Sequence, residues 1–168
     1  MKRTLRNNPH KRFLAYSIAA ALSIGGTAYA KDYPVTESQD DGTGQQIGTL
    51  SWAILQANTD ETGVPIIPPA PNVADTITLQ TNVTITGVMK TLINSDITLQ
   101  SDSTPRTIFG GNPDDPDANR FRPLFVKSGN VTIKNLTLAN GQAKGGDSGS
   151  GGAGAGLGGA LFVYDGNV

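Results

Sequence analysis

The sequence predicts an all-β chain in which short parallel strands stack into a solenoid, with one short helix ahead of them. Three observations predict it. Thr76-Ile77-Thr78-Leu79, Val83-Thr84-Ile85-Thr86, Ile97-Thr98-Leu99 and Val131-Thr132-Ile133 alternate polar and apolar residues, the period of a strand with one buried face. Segments also recur. Asp75–Gln80 echoes Asp96–Gln100, with Ile77 and Leu79 mapping to Ile97 and Leu99 at a spacing of 20, Asn82–Ile85 echoes Asn130–Ile133, and Leu124–Val131 returns as Leu161–Val168 with six of eight positions identical. Such recurrence marks stacked repeats. The third observation is parity. Val131 and Ile133 share one face and Leu136 and Leu138 share another, an odd step away. A corner at Lys134-Asn135 returns both pairs to one interior, and Asn tolerates the left-handed backbone that such a corner uses.

Composition removes many functions. The 168 residues include no Cys and one His, His10, which falls in the leader described next. Disulfide frameworks, cysteine zinc sites, cysteine nucleophiles, serine–histidine hydrolysis and histidine-ligated metals are therefore excluded within the chain. Hydrophobic residues are 37%, aromatic residues 6% and charged residues 16%, too little charge for the disordered class.

Residues 1–30 read as a secretory signal peptide. Lys2, Arg3, Arg6, Lys11 and Arg12 form a basic start, an apolar run follows from Phe13 to Ile24, and Ala28-Tyr29-Ala30 is a small-x-small cleavage site before Lys31. The apolar run of about 12 residues is short against the roughly 20 needed to span a bilayer. Of the 13 basic and 14 acidic residues, five basic and no acidic ones lie in this leader. Its removal leaves 8 basic against 14 acidic residues, a net charge of −6. Such an acidic chain is not expected to bind nucleic acid.

Residues 31–48 read as a polar, loose leader to the fold. Leu50, Ile54 and Ala57, with Ala53 beside them, give one face of a short helix near 50–58, with Thr49 or Ser51 as N-cap and Asn58 as its stop. The prolines at 65, 68, 69 and 71 exclude regular structure over 59–74. The expected organisation is thus a signal peptide over 1–30, a polar leader and capping segment over 31–74, and an incomplete β-helix of about four coils over 75–168. A glycine-rich inserted loop spans 141–159 and holds 10 of the 21 Gly. Val168 falls within the second copy of a strand, so the chain is expected to be the N-terminal piece of a longer protein.

No catalytic, cofactor or metal residues are assigned. Asp114-Asp115-Pro116-Asp117 suggests a calcium ligand set, but without calcium-loop spacing it reads better as a solvated turn. Gly145-Gly146-Asp147 lacks the nine-residue recurrence of calcium repeats. Asp75 and Asp96 stand at strand starts, where stacking brings them roughly one strand spacing, about 5 Å, apart. That suits turn capping better than an acid–base pair. Lys127, Arg120 and Arg122 are candidate acidic-sugar contacts that also suit a solvated face. Trp52 reads as packing over the first coil rather than as a sugar platform.

The leader, Gly48–Asn58, Ala74–Leu79, Gly129–Gly141 and Gly158-Gly159-Ala160-Leu161, taken in that order, resemble bacterial secreted right-handed parallel β-helix proteins. The likeness is to autotransporter and polymorphic outer-membrane-type passengers. Phe109-Gly110-Gly111-Asn112 and Gly158–Leu161 each match one short motif of the polymorphic family. Gly48–Ala53 stands where a related N-terminal module carries Cys-Ser-Leu-Arg-Glu-Ala. The resemblance implies Sec export to the cell surface, outer membrane or medium of a Gram-negative bacterium, with a C-terminal outer-membrane barrel supplied only by a longer parent chain. It implies a non-enzymatic, adhesin-like or stalk role, with a host-cell or matrix surface or a polysaccharide as partner. The alternatives are the N-terminal part of a β-helix polysaccharide lyase or hydrolase whose active site lies beyond the chain end, and a truncated reading frame without function.

Overall fold

The computed structural model describes residues 30–59, 74–115, 119–146, 149 and 155–168. Ala28 and the rest of the expected leader to residue 29, with Pro116, Asp117 and Asp147, lie outside the described residues. The strands are β1 (Asp32–Val35), β2 (Gln39–Asp40), β3 (Asp75–Leu79), β4 (Val83–Ile85), β5 (Ile97–Ser101), β6 (Arg106–Phe109), β7 (Leu124–Val126), β8 (Val131–Lys134), β9 (Leu136–Ala139) and β10 (Leu161–Val163). The one helix among the described residues, α1, spans Leu50–Ala57.

All strand pairs are parallel and form three sheets. One runs β1-β3-β5-β8, the second β2-β4-β6-β9, and the third pairs β7 with β10. Ile93 extends the third sheet by bridging Val126 in parallel. Within each sheet the strands lie in sequence order. Short parallel strands of this kind need crossovers, and here each crossover is supplied by a visit to another sheet.

Apolar residues stack at matched positions. Tyr33, Ile77, Leu99 and Ile133 align across the first sheet, as Val83, Ile108 and Leu138 do across the second. Ile77, Leu79, Val83, Ile85, Ile93, Ile97, Leu99, Ile108, Leu124 and Val126 are buried in one core shared by the three sheets and α1. Full burial of such a side chain contributes roughly 1.5–3 kcal/mol. The intervening Thr76, Thr78, Thr84 and Thr98 are half-buried, and Thr132 and Thr137 are exposed. The expected inward face is therefore correct. Ile133, Leu136 and Leu138 are only partly buried, because β8 and β9 are the last strands of their sheets.

The corner expected at Lys134-Asn135 separates β8 from β9, and Asn135 has φ 55°. Asn135 Nδ2 donates to Ser101 Oγ at 2.7 Å, which ties the corner to the preceding strand.

Helix α1 begins at Thr49, whose Oγ1 accepts from Trp52 N at 3.2 Å, and ends at Asn58. Its C-terminus meets the Ile93 segment. Asn58 Nδ2 donates to Leu92 O at 2.7 Å, and Ser95 Oγ donates to Ala57 O at 2.9 Å. The helix thus covers the strands from the side of β1 and β3. Trp52 is half-buried against Tyr33, edge to face at 6.3 Å, a packing role.

Three expectations change. Residues 31–48, read as a loose leader, carry β1 and β2, so sheet pairing begins ahead of the boundary expected at residue 75. Pro34 is accommodated because β1 is an edge strand. The echo at spacing 20 is not the pairing register. Asp75 lies opposite Ile97 and Ile77 opposite Leu99, 22 residues on, and the two-residue offset keeps every side chain on its face. Val83 and Val131, matched in the second echo, start strands of different sheets. The third echo is a true stacking repeat. Leu124, Phe125 and Val126 pair with Leu161, Phe162 and Val163, and Asn130 bridges Asn167.

Candidate functional site

The connections between the second and third sheets bring three distant segments together. These are the stretch after β4, the stretch between β6 and β7, and the stretch after β9. Gly110 N donates to Ala139 O at 2.8 Å, Phe121 N donates to Gly110 O at 2.5 Å, and Gln142 N donates to Phe121 O at 3.2 Å. A side chain at Gly110 has no room, since a Cβ there meets Phe121 O at 2.3 Å and Gly141 Cα at 2.5 Å.

Above this backbone junction lies a groove of about 300 Å3. Val88, Met89 and Leu92 form one wall, Phe121 and Phe125 the aromatic part, and Arg120, Arg122, Gln142 and Lys144 the polar part. Arg122 is held in place. Its guanidinium lies 5.2 Å from the Phe125 ring centre and 5.4 Å from that of Phe162, and its Nη1 donates to Leu157 O at 3.0 Å. The two rings meet edge to face at 5.0 Å because β7 and β10 pair them in register. Stacking on two rings favours the guanidinium, and a pre-positioned guanidinium suits planar anions. No carboxylate lines the groove among the described residues.

The structure brings Arg120 and Arg122 to this groove together with Lys144. Lys127 is exposed and does not line it. The groove escaped sequence reading because its segments lie far apart in the chain. The Phe125/Phe162 repeat was the one signal of the stacked rings.

The other candidate residues take structural roles. Asp75 Oδ1 accepts from Lys31 N at 2.9 Å, whereas Asp96 Oδ1 accepts from Asn130 N at 2.8 Å and Asn130 Nδ2 at 3.3 Å. The two carboxylates cap strand entries on opposite neighbours, and the register separates them. Asp114 N donates to Asn112 Oδ1 at 3.1 Å and Asp115 N to Asn112 O at 3.4 Å, a turn stabilised by its own Asn. No group of three His, Cys, Asp or Glu placed to hold a metal occurs among the described residues. Of the expected cleavage residues, Ala30 is exposed and Lys31 half-buried.

Asp40 is a carboxylate that sequence reading missed. It is 1% exposed. Its Oδ1 accepts from Gly42 N at 2.7 Å and Ser51 Oγ at 2.6 Å, and its Oδ2 accepts from Ser51 N at 2.6 Å. It sits at the N-terminus of α1, where backbone N–H groups and the helix dipole favour an anion. Comparison with family models, curated proteins and solved structures finds no match to this chain.

Proposed function

We propose that the chain forms a right-handed parallel β-helix and serves as a non-enzymatic, adhesin-like part of an exported bacterial surface protein. The observation that carries this reading is the stacking of β1-β3-β5-β8 and β2-β4-β6-β9 in chain order and in register. A chain that returns to the same sheets in the same order winds as a solenoid, and parallel crossovers take the right hand. The sequence features of the leader support export.

The groove supports a binding role rather than a scaffold alone. A cationic, partly aromatic cleft on a chain of net acidic charge without its leader favours an anionic polysaccharide. Its sugar faces lie on Phe121 and Phe125, and its carboxylates meet Arg122, Arg120 and Lys144.

Expression of the full chain in a Gram-negative host, followed by cell fractionation, tests passage across the inner membrane with loss of the leader. Retention in the cytoplasm with the leader attached counts against the reading. Binding of the purified protein to a uronate-rich polysaccharide, compared with a neutral glucan, tests the groove. Arg122→Ala is expected to weaken uronate binding about tenfold or more, in line with loss of a charge-assisted contact of about 1.5–3 kcal/mol. Equal binding to both polymers counts against it.

A further inference from the structure

The expected cleavage site and the start of the fold fall at the same bond. Ala30 is exposed, and Lys31 is the next residue. Lys31 N donates to Asp75 Oδ1 at 2.9 Å, and Lys31 O accepts from Thr76 N at 2.7 Å. Strand β1 follows at once, with Asp32 opposite Thr76 on β3. Asp75 is itself held in place, since its N donates to Asp96 O at 3.2 Å. Its half-buried carboxyl is pushed above the usual carboxylate range by desolvation, with the Lys31 N–H and the Lys31 charge pulling it back.

We infer that cleavage after Ala30 creates a latch, in which the new α-ammonium of Lys31 docks on the Asp75 carboxylate and fastens β1 to β3. This rests on reading residues 1–30 as a leader. A signal peptidase hydrolyses the Ala30–Lys31 peptide bond. Water supplies hydroxyl to the Ala30 carbonyl carbon and a proton to the Lys31 nitrogen, which takes a second proton from solvent. The neutral amide that donates one hydrogen bond becomes a cation with three donors at the same place. Charge-assisted bonds are roughly twice as strong as neutral ones, and a half-buried carboxylate gains most from a partner. The leader-bearing chain lacks this ion pair, so its first strand is held less firmly while export requires an unfolded chain.

The charged groups around the new amine are Asp75 on β3, which accepts from Lys31 N, Asp32 next in the chain on β1, the Lys31 side chain, and, one step further, Asp96, whose backbone oxygen accepts from Asp75 N and whose carboxylate meets Asn130. An α-amine ordinarily titrates near about 7.7–8.0, and the latch raises that value in the folded chain. Its stabilisation is therefore full below the ordinary amine value as long as Asp75 stays ionised, is lost as pH rises through the raised amine value, and is lost again in acid as Asp75 takes up a proton.

The test starts from the full chain, exported and processed in a bacterial host. Mass spectrometry of the product must give Lys31 as the first residue. An unprocessed chain, or one starting elsewhere, sinks the leader reading and the latch together. With Lys31 first, the α-amine is acetylated near neutral pH, and mass spectrometry of the product confirms a single acetyl group, on the N-terminus. Acetylation is expected to lower Tm by several degrees in the Asp75 chain and to leave the Asp75→Asn chain unchanged. Equal shifts in both overturn the latch while the leader reading stands. If Asp75→Asn does not fold, the α-amine titration of the unsubstituted product decides. A value above about 8 supports the latch, and an ordinary value, in a folded or an unfolded product, overturns it.

Discussion

Asp40 shows how much one side chain organises. It joins the end of β2, the turn at Gly42 and the first turn of α1 through three donors. Asp40→Ala leaves those donors buried without an acceptor, so a loss of at least about 3 kcal/mol is expected in chemical denaturation. Thr91 is the opposite case. Its Oγ1 is buried without a hydrogen-bond partner among the described residues. Thr91→Val keeps the shape and removes the unpaired hydroxyl, so equal or greater stability is expected, by up to about 1 kcal/mol. A clear loss in the same denaturation experiment would show that the hydroxyl is satisfied in solution. Asp102 gives a pH signature. Arg106 donates to it from Nε at 3.1 Å and Nη2 at 2.7 Å, and with Thr104 N this holds its carboxyl below the usual range. A depressed carboxyl contributes stability above the ordinary carboxylate value, lost as pH falls through the lower folded one. Asp102→Asn should flatten that acid limb slightly, because the pair is at the surface.

At the scale of single elements, local chemistry and stacking divide the work. Helix α1 was legible from Leu50, Ile54 and Ala57 and from Thr49 as cap. Thr49→Ala is expected to cost about 1 kcal/mol of stability, measured by thermal unfolding. The alternating strands β3, β4, β5 and β8 were equally legible, because each turns two apolar residues to the core. Strands β1, β2 and β6 were not. Gln39-Asp40 offers no apolar alternation, Pro34 interrupts β1, and in β6 only Ile108 is buried. Their conformation comes from pairing with neighbours that local sequence does not reveal. Asn135 was read correctly because its left-handed backbone leaves a mark in parity. Asn135→Val should therefore destabilise by about 1 kcal/mol or more, whereas Asn135→Gly should be tolerated.

For the molecule as a whole, the sequence revealed the face of each strand better than its partner. The echo at 20 and the pairing at 22 differ by one full strand period, so face patterns cannot tell them apart. The groove depends on corners separated by long stretches of chain, and no periodicity reports their meeting. Among the described residues β8 and β9 are the last strands of their sheets, and Asn167 reaches only the start of β8. Their Ile133, Leu136 and Leu138 are only partly covered. The chain is therefore expected to associate as concentration rises, and Ile133→Lys to suppress that association in sedimentation experiments. A strictly monomeric unsubstituted chain at high concentration would contradict this.

The uneven spacing of paired residues carries a consequence of its own. In the first sheet Asp32 faces Thr76, Asp75 faces Ile97, and Ile97 faces Val131, steps of 44, 22 and 34 residues between rungs of one ladder. Rung geometry is constant while the step between rungs varies up to twofold. Loop closure entropy rises only slowly with length, so tether length is nearly neutral for stability. The surface at one corner can then change by lengthening or swapping tethers, with the rungs below untouched. A lineage of such chains would diversify its surface by insertion and deletion more than by substitution in the core.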